Sequence, residues 1–243
     1  MNEKLIKENI KETYLVNSYG TRNLFLDAIR NNVSKFIYFS TFHVYGKSCG
    51  VIDENSEVNP LSDYGLSHYF AERYIRQNLN NTDCKAIILR LTNGIGVPIN
   101  TDKWYLALND FCKTIYETGQ IIVESNGLAY RDFIDIEDVV DAVDNIIDDD
   151  RYNKFEVYNI SSQKSYTIKE VAEIVKRIYE IRYKKNGNIK IKKASNEEIE
   201  KFKKTSLLVK SEKLRRNGWS NKISIEETIN NIFDYLEEHS LKN

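Results

Sequence analysis

The 243-residue chain has the composition of an ordinary globular protein, with 41% hydrophobic and 29% charged residues and a formal net charge of −1. This balance excludes a disordered chain and gives no overall attraction to nucleic acid or to an anionic membrane. The three cysteines lack C-x-x-C spacing, which argues against a disulfide framework and against a metal site. No apolar run approaches the ~20 residues of a membrane span, and the charged N-terminus lacks the apolar core of a signal peptide, so we expect a cytoplasmic protein without a membrane partner.

The first predicted element is a helix over residues 3–31. Its apolar residues, among them Leu5, Ile10 and Leu24, recur at helical spacing. Gly20 lies in the middle of this pattern. Because a glycine inside a helix costs about 1 kcal/mol, we expect close packing against another part of the chain at that point.

The next pattern joins a strand to a helix and carries the strongest functional signal. Residues 36–39 form an apolar, aromatic run that ends at the hydroxyls of Ser40 and Thr41. Such a run is typical of a buried parallel strand that delivers side chains to the ligand-binding edge of a sheet. A helix is predicted to begin near Tyr64. Since Tyr64 and His68 are four residues apart, both side chains lie on one helix face and can address one site.

The rest of the chain alternates between strands and helices, which predicts an α/β fold. The further predicted elements are a strand over 84–91, a helix over 103–118, a strand over 120–124, a strand and a helix after Arg131, a strand over 155–160, a helix over 167–179 and a C-terminal helix. Thr167 and Glu170 have the spacing of a capping box. Asp135 or Ile136 is the expected N-cap of the helix after Arg131.

A basic stretch lies between residues 182 and 204. Lysine clusters can bind nucleic acid, but this one contains interleaved glutamates and has no aromatic platform on which bases could stack. A solvated loop and helix face is the better interpretation, so we expect no nucleic-acid partner.

Several segments, in the right order along nearly the whole chain, resemble signatures of one protein family. They are NSYGTRNL from residue 17, STFHVYG from residue 40, YGLSH from residue 64, RLTN from residue 90, RDFI from residue 131 and YNI from residue 158. These segments are similar to motifs of the extended short-chain dehydrogenase/reductases, the NAD-dependent nucleotide-sugar epimerases and dehydratases.

The resemblance implies a particular division of the chain. Residues 1–98 and 133–163 would form an incomplete Rossmann-type, doubly wound parallel sheet from which the first βαβ units are missing. Residues 99–132 and 164–243 would form a small α+β lobe that binds the substrate. NAD or NADP would be the cofactor, a nucleotide sugar the substrate, and a homo-oligomer the expected assembly.

The resemblance also implies roles for individual residues. Catalysis would involve Tyr64 as the acid/base, Thr41 as the hydroxyl that bridges to substrate, and His68 in place of the family's lysine. The cofactor would be bound by Asn17, Ser40, Tyr64, His68 and Leu91, although for Asn17 a structural role is preferred to a binding one. The substrate would be bound by Thr41, His43, Asn93 and Arg131.

Three of the substrate-binding assignments have simpler alternatives. Asn93 could be an ordinary turn residue at the end of a strand, and His43 a solvent-facing loop residue. Arg131 suits a bidentate contact with a diphosphate, but it could instead pair with Asp132 or Asp135.

The first departure from the family pattern is His68, which stands where the family has lysine. A tyrosine with a reference pKa near 10 is ionised to about one part in a thousand at pH 7, and a nearby cation corrects this. A neutral imidazole supplies little such field, although it could bond a ribose hydroxyl. A second substitution places Phe42 and His43 where some dehydratases of the family carry an Asp-Glu pair, which disfavours 4,6-dehydration.

The second departure is that the 243 residues contain no Gly-rich dinucleotide fingerprint. The one G-x-G, at Gly94 and Gly96, runs into Pro98 and comes too late to open a first strand–helix turn. We therefore expect an N-terminally shortened chain whose NAD-binding half is encoded upstream or supplied by another polypeptide. On that expectation the chain alone is inactive or weakly active. The alternative is a non-catalytic remnant or partner subunit that binds without turnover.

Overall fold

The computed structural model describes residues 9–80, 82–98, 104–148, 152–203 and 206–240. The helices are α1 (Ile10–Tyr14), α2 (Thr21–Arg30), α3 (Asp63–Asn78), α4 (Ala107–Thr118), α5 (Ile136–Ile147), α6 (Ile168–Tyr183), α7 (Asn196–Lys203), α8 (Glu212–Arg215) and α9 (Ile225–Ser240). A π-helical segment, Leu15–Gly20, joins α1 to α2, and a 3-10 turn spans Phe42–Tyr45. None of the helices in the described ranges is both long enough and apolar enough to cross a membrane.

Within the described ranges the strands form four small open sheets. The strands are β1 (Lys35–Thr41), β2 (Gly50–Ile52), β3 (Lys85–Leu91), β4 (Asn93–Ile95), β5 (Gln120–Val123), β6 (Tyr130–Asp135), β7 (Phe155–Ile160), β8 (Ser165–Thr167), β9 (Asn188–Ile191) and β10 (Leu207–Val209). The sheet orders are β1-β3-β7, β10-β2, β4-β6-β8 and β5-β9, and every pair is parallel except β6 with β8.

The parallel sheet β1-β3-β7 is the layer around which the predicted Rossmann-type half is built. Its central strand β3 is apolar and β-branched, and it is buried because helices cover both sheet faces. Phe25 and Ile75 pack against one face, and Ile134 and Val139 against the other. The carboxyl ends of β1 and β3 lie side by side, with Thr41 opposite Leu91. This register brings the polar strand ends to one edge.

A separate hydrophobic core joins α4, α6 and α9. Its fully buried members include Leu108 and Ile115 from α4, Val175 from α6, and Ile229 and Phe233 from α9. Strand β6 lies between this core and the main sheet, since Phe133 packs into the first and Ile134 into the second. The alternating side chains of one strand therefore connect the two cores.

Most predicted elements are present, with several differences. The first predicted helix is interrupted by the π-helical segment, and its residues 3–8 lie outside the described residues. The helix predicted over 103–118 begins at Ala107 in the structure. Arg131 lies within β6 rather than before a strand. The basic stretch contains strand β9, which pairs with β5. Asp135 caps α5, and Thr167 forms the capping box of α6, as predicted.

A buried ion pair joins α3 to β3. The Arg90 guanidinium donates from Nε and Nη2 to the two Glu72 carboxylate oxygens, at 3.0 and 2.6 Å. Ser40 of β1 donates to the same carboxylate at 2.5 Å. The Arg90 guanidinium also lies 4.8 Å from the centroid of the Tyr45 ring. One carboxylate therefore holds β1, β3 and α3 in a fixed arrangement.

Replacing Glu72 by Gln should destabilise the fold strongly, because the Arg90 charge would stay buried without a counter-charge. We expect a loss of about 3–5 kcal/mol in the free energy of unfolding, measured by urea denaturation. The control is Asp27→Asn, which removes the exposed Arg30–Asp27 pair at 2.8 Å and should cost less than about 1 kcal/mol. Equal effects of the two substitutions would contradict this account of the buried pair.

Candidate active site

Thr41 lies at the end of β1, where the chain turns away from the sheet. Its side chain accepts a hydrogen bond from the His43 backbone N–H at 3.3 Å, which caps the 3-10 turn Phe42–Tyr45. The side chains along β1 alternate between the two faces of the sheet, so Ser40 points toward α3 and bonds Glu72. Thr41 is left to face the opposite side, at the sheet edge.

Helix α3 begins beside that turn. Ser62 is its N-cap and accepts a hydrogen bond from the Gly65 N–H at 3.2 Å. A side chain at position 65 would come within 2.6 Å of the His43 carbonyl oxygen, so only glycine allows the helix to approach the turn this closely. The Tyr-Gly pair in the sequence is therefore a packing requirement that places Tyr64 next to the end of β1.

Tyr64 lies between Thr41 and two histidines. The Thr41 side chain lies close to the Tyr64 phenol and interacts with it. The His68 ring stands edge-on to the Tyr64 ring with centroids 4.7 Å apart, and the His43 ring does so at 5.8 Å. Burial raises the pKa of Tyr64 above its ordinary value, and the interaction with Thr41 opposes this shift only in part. At neutral pH Tyr64 is therefore a protonated phenol.

His68 is held by a tyrosine of β1. The Tyr38 hydroxyl lies 2.7 Å from His68 Nδ1. We assign the Tyr38 hydroxyl as the donor, because a phenolic O–H that is largely removed from water needs an acceptor and His68 Nδ1 lies within reach. The imidazole is then neutral and carries its proton on Nε2. Burial and the nearby His43 lower the pKa of His68 to about 4, which agrees with a neutral ring.

A cavity of about 600 Å³ opens beside Thr41 and Tyr64. Six residues predicted for catalysis or binding line it together: Thr41, His43, Tyr64, Leu91, Asn93 and Arg131. His43 is half-buried in this wall rather than solvent-facing. Arg131 also donates from Nη1 to the Tyr130 carbonyl at 2.8 Å, which holds its guanidinium against the β6 backbone. The six residues come from four separate segments, and the sheet edge brings them together.

The other predicted site residues lie outside this cavity. Asn17, in the π-helical segment, donates from Nδ2 to Ser67 Oγ at 3.1 Å, and Ser67 Oγ donates to the Tyr64 carbonyl at 2.9 Å. Asn17 therefore supports the first turns of α3, which agrees with the structural role preferred for it. Ser40 is buried against Glu72, and His68 bonds Tyr38. Their contacts with a cofactor stay predictions.

Asn93 follows the end of β3 and is anchored to the neighbouring strand. The Asn93 Nδ2 donates to the Asp132 backbone carbonyl at 2.8 Å, and Asn93 also lines the cavity. The Asp132 carboxylate is buried and accepts from Thr92 and from the Ser162 N–H, at 2.8 and 3.0 Å. Burial raises the pKa of Asp132 to about 6. This carboxylate ties the ends of β3, β6 and β7 together beneath the cavity.

Several residues at the site were not predicted from the sequence, and three polar ones are informative. Ser62 and Asn109 line the cavity, and Tyr38 holds His68. Ser62 precedes the predicted helix and carries an N-cap signal that could have been used. Asn109 lies within a helix whose pattern marks it only as polar, and Tyr38 lies in an apolar strand. Their roles depend on which distant residue they meet.

No group of three or more metal-ligating side chains is found among the residues that the structure describes. The only G-x-G does not form a phosphate loop, because it belongs to β4 and its loop. There the backbone of Gly96 packs so closely on Ile136 that an added Cβ would lie 2.7 Å from the Ile136 side chain. This glycine pair therefore does not supply a site for a dinucleotide diphosphate, and contacts of Tyr64 and His68 with a nicotinamide ribose stay predictions.

This geometry agrees with the comparison with known families. The model of the NAD dependent epimerase/dehydratase family matches residues 5–161, which is more than half of the chain. The chain belongs to this family. The match includes β1, α3 and β3, and therefore the strand end at Thr41 and the Tyr64–His68 helix face.

Individual relatives support the same assignment. The mouse dTDP-D-glucose 4,6-dehydratase is 27% identical over 232 residues, which cover 94% of this chain and 63% of the relative. The chain thus spans less than two thirds of that protein. The fold is similar to that of the UDP-glucose 4-epimerase of Thermotoga maritima, solved with UDP-glucose, with a TM-score of 0.79 and 22% identity over 97% of this chain and 74% of the other. It is also similar to the UDP-glucuronic acid 4-epimerase of Bacillus cereus, solved with NAD, with a TM-score of 0.74 and 21% identity. This match covers 91% of this chain and 65% of the Bacillus chain.

Removal of the Tyr38 hydroxyl should change the protonation pattern of His68. In the wild type we expect a neutral imidazole protonated on Nε2. In Tyr38→Phe the donor to Nδ1 is lost, so both neutral tautomers should be populated and the ¹⁵N chemical shifts of the two ring nitrogens should move toward each other. The pKa of His68 should rise, because the neutral ring loses a stabilising hydrogen bond. The measurement is long-range ¹H–¹⁵N correlation NMR, in which the three histidines give few signals.

The His68 signals are assigned with His68→Asn, and the control is Tyr74→Phe, which changes a tyrosine on the same helix. Unchanged nitrogen shifts and an unchanged titration in Tyr38→Phe would show that Tyr38 does not set the tautomer.

Proposed function

We propose that this chain carries the acid/base and substrate-binding part of a nucleotide-sugar epimerase or reductase. The observation that supports the proposal most is that Thr41 and Tyr64 lie together at the wall of a cavity that Arg131 also lines. A hydroxyl and a phenol at a sheet edge form a proton-transfer pair for an alcohol substrate.

In the proposed reaction a sugar hydroxyl is converted to a carbonyl, or a carbonyl to a hydroxyl. The phenolate form of Tyr64 takes the hydroxyl proton in the first direction, and the phenol form gives a proton to the carbonyl oxygen in the second. Thr41, next to Tyr64, forms a hydrogen bond with the reacting oxygen and so fixes the distance of that oxygen from the phenol. NAD or NADP supplies the hydride acceptor or donor when bound.

The cavity wall suits an anionic sugar nucleotide. Arg131 and the Asn93 amide offer hydrogen-bond donors of the kind that bind diphosphate oxygens. In the described residues no carboxylate lines the cavity, so nothing there repels such a group. The lack of an acid also favours epimerisation or reduction over the 4,6-dehydration named for the mouse relative. The UDP-glucose in the Thermotoga structure supports a ligand of this class.

We propose that the dinucleotide diphosphate is bound by polypeptide other than these 243 residues, such as a half encoded upstream. Strand β1 supports this proposal, because among the described residues it pairs only with β3 and leaves its other edge open. Phe39 of β1 is 45% exposed although it belongs to the main sheet. An additional parallel strand at this edge would cover it and would extend the site toward Tyr64 and His68.

Assembly and domain organisation are also proposals. A homo-oligomer is supported by the apolar side chains Leu15, Val16 and Tyr19, which are exposed on the π-helical segment. The division into residues 1–98 with 133–163 and 99–132 with 164–243 is supported by the two hydrophobic cores that meet at β6.

One observation favours a second function, which is ligand binding without turnover. A neutral His68 beside a Tyr64 of raised pKa provides no cation to stabilise a tyrosinate. A chain of this kind could bind a nucleotide sugar as a partner subunit while another chain catalyses the reaction.

The acid/base assignment predicts the effect of removing one hydroxyl. In a preparation that converts a nucleotide sugar with added NAD or NADP, Tyr64→Phe should lower kcat by about 10²–10⁴-fold, because the proton then has no carrier. KM should change little. Tyr74→Phe is the control. Full turnover by Tyr64→Phe would reject the assignment, whereas a preparation that binds nucleotide sugars but never turns over would favour the second function.

A cation in place of His68 should shift the pH dependence of the same reaction. In His68→Lys the ammonium would lower the pKa of Tyr64, so the tyrosinate would form at lower pH. The rise of kcat with pH in the oxidative direction should move toward neutral pH, and the rate at pH 7 should increase. His239→Lys, on the exposed end of α9, is the control. An unchanged or lower rate at pH 7 would show that a neutral imidazole is required.

A further inference from the structure

Asn109 is a buried polar residue in the first turn of α4. It is 2% exposed, and it lines the cavity beside Thr41 and Tyr64. Its Nδ2 donates to the Gly96 carbonyl at 2.7 Å, but its Oδ1 has no hydrogen-bond partner within the described part of the chain. A buried acceptor without a partner has lost its hydrogen bonds to water and forms none within the protein. Because this costs free energy, such groups are rare in stable folds.

The amide cannot satisfy its oxygen by turning over. A flip would place Oδ1 against the Gly96 carbonyl, so that two acceptors would face each other. The Gly96 backbone runs close to the start of α5, because a Cβ added at Gly96 would lie only 2.7 Å from the Ile136 side chain. Strand β4 holds the same segment, since Ile95 pairs with Asp135 of β6. The orientation of the amide is thus fixed by rigid neighbours.

We infer that Asn109 is a ligand-binding residue whose Oδ1 accepts a hydrogen bond from an O–H or N–H group of the bound molecule. The inference rests on the proposed function, because the donor is expected to be a sugar hydroxyl or the base N–H of a nucleotide sugar. An oxygen that only accepts also disfavours a carboxylate or phosphate at this point of the wall. Asn109 therefore complements Arg131, which lines the same cavity and suits the anionic part of the ligand.

Two substitutions separate this role from a structural one. Asn109→Leu removes the acceptor and the bond to Gly96 while keeping a similar size. Asn109→Asp keeps an acceptor oxygen but also loses the bond to Gly96. Asn78→Leu is the matched control, because the Asn78 amide likewise donates to a backbone carbonyl, that of Tyr74 at 2.7 Å, away from the cavity.

The test is isothermal titration of the full chain with UDP-glucose, dTDP-glucose, UDP and dTDP, with thermal unfolding as a check of folding. Asn109→Leu should weaken binding of the nucleotide sugar about tenfold, as expected for one hydrogen bond. Asn109→Asp should bind more tightly than Asn109→Leu even if it unfolds at lower temperature, and Asn78→Leu should bind like the wild type. A loss confined to the nucleotide sugars identifies a sugar hydroxyl as the donor, and an equal loss for UDP or dTDP identifies the nucleotide.

Unchanged affinity in a folded Asn109→Leu would overturn the inference and leave the proposed function intact. If both variants lose affinity in proportion to their loss of stability, the residue is structural and the inference is also overturned. Failure of the wild-type chain to bind any of the four compounds would instead reject nucleotide-sugar binding, and this inference with it.

Discussion

The arrangement of the site depends on one buried ion pair, Arg90 with Glu72. Two charges that are almost fully removed from water stay in the fold because each satisfies the other through two hydrogen bonds and because Ser40 adds a third. The three residues belong to β3, α3 and β1. The pair therefore sets the position of α3 against the sheet, and with it the distance between Thr41 at the strand end and Tyr64 at the helix start. Gly65 completes the approach by letting the helix backbone meet the turn after β1.

The same close packing determines the electrostatics of the site. Burial disfavours charge on Tyr64 and on His68, so the phenol stays protonated and the imidazole stays neutral. Tyr38 reinforces this state by occupying Nδ1, which leaves Nε2 as a hydrogen-bond donor. Where the family pattern has a cation, this chain has a neutral donor. Binding of a ribose hydroxyl is compatible with that change, whereas stabilisation of a tyrosinate is not.

The sequence could predict those parts of the fold and site that depend on local patterns. The apolar run before Thr41, the spacing of Tyr64 and His68, and the capping box at Thr167 follow from periodicity and local hydrogen bonding, and the structure contains each of them. Strand β9 was missed because its pairing with β5 depends on residues about 70 positions apart, while its own composition is basic. Asn109 was missed for a related reason. That its Oδ1 has no hydrogen-bond partner among the described residues becomes visible only once the fold has placed the surrounding atoms.

The protonation state of the site bears on the direction in which it can work best. Oxidation of a hydroxyl requires Tyr64 to be a phenolate before the reaction, and burial without a cation makes that form scarce at neutral pH. Reduction of a carbonyl requires a protonated phenol, which is the form already present. The interaction with Thr41 helps either direction, since it lowers the cost of the phenolate that remains after a proton has been donated. Of the two reactions in the proposed function, the electrostatics at neutral pH therefore favour reduction, because burial keeps Tyr64 protonated and the neutral His68 supplies no cation to offset it.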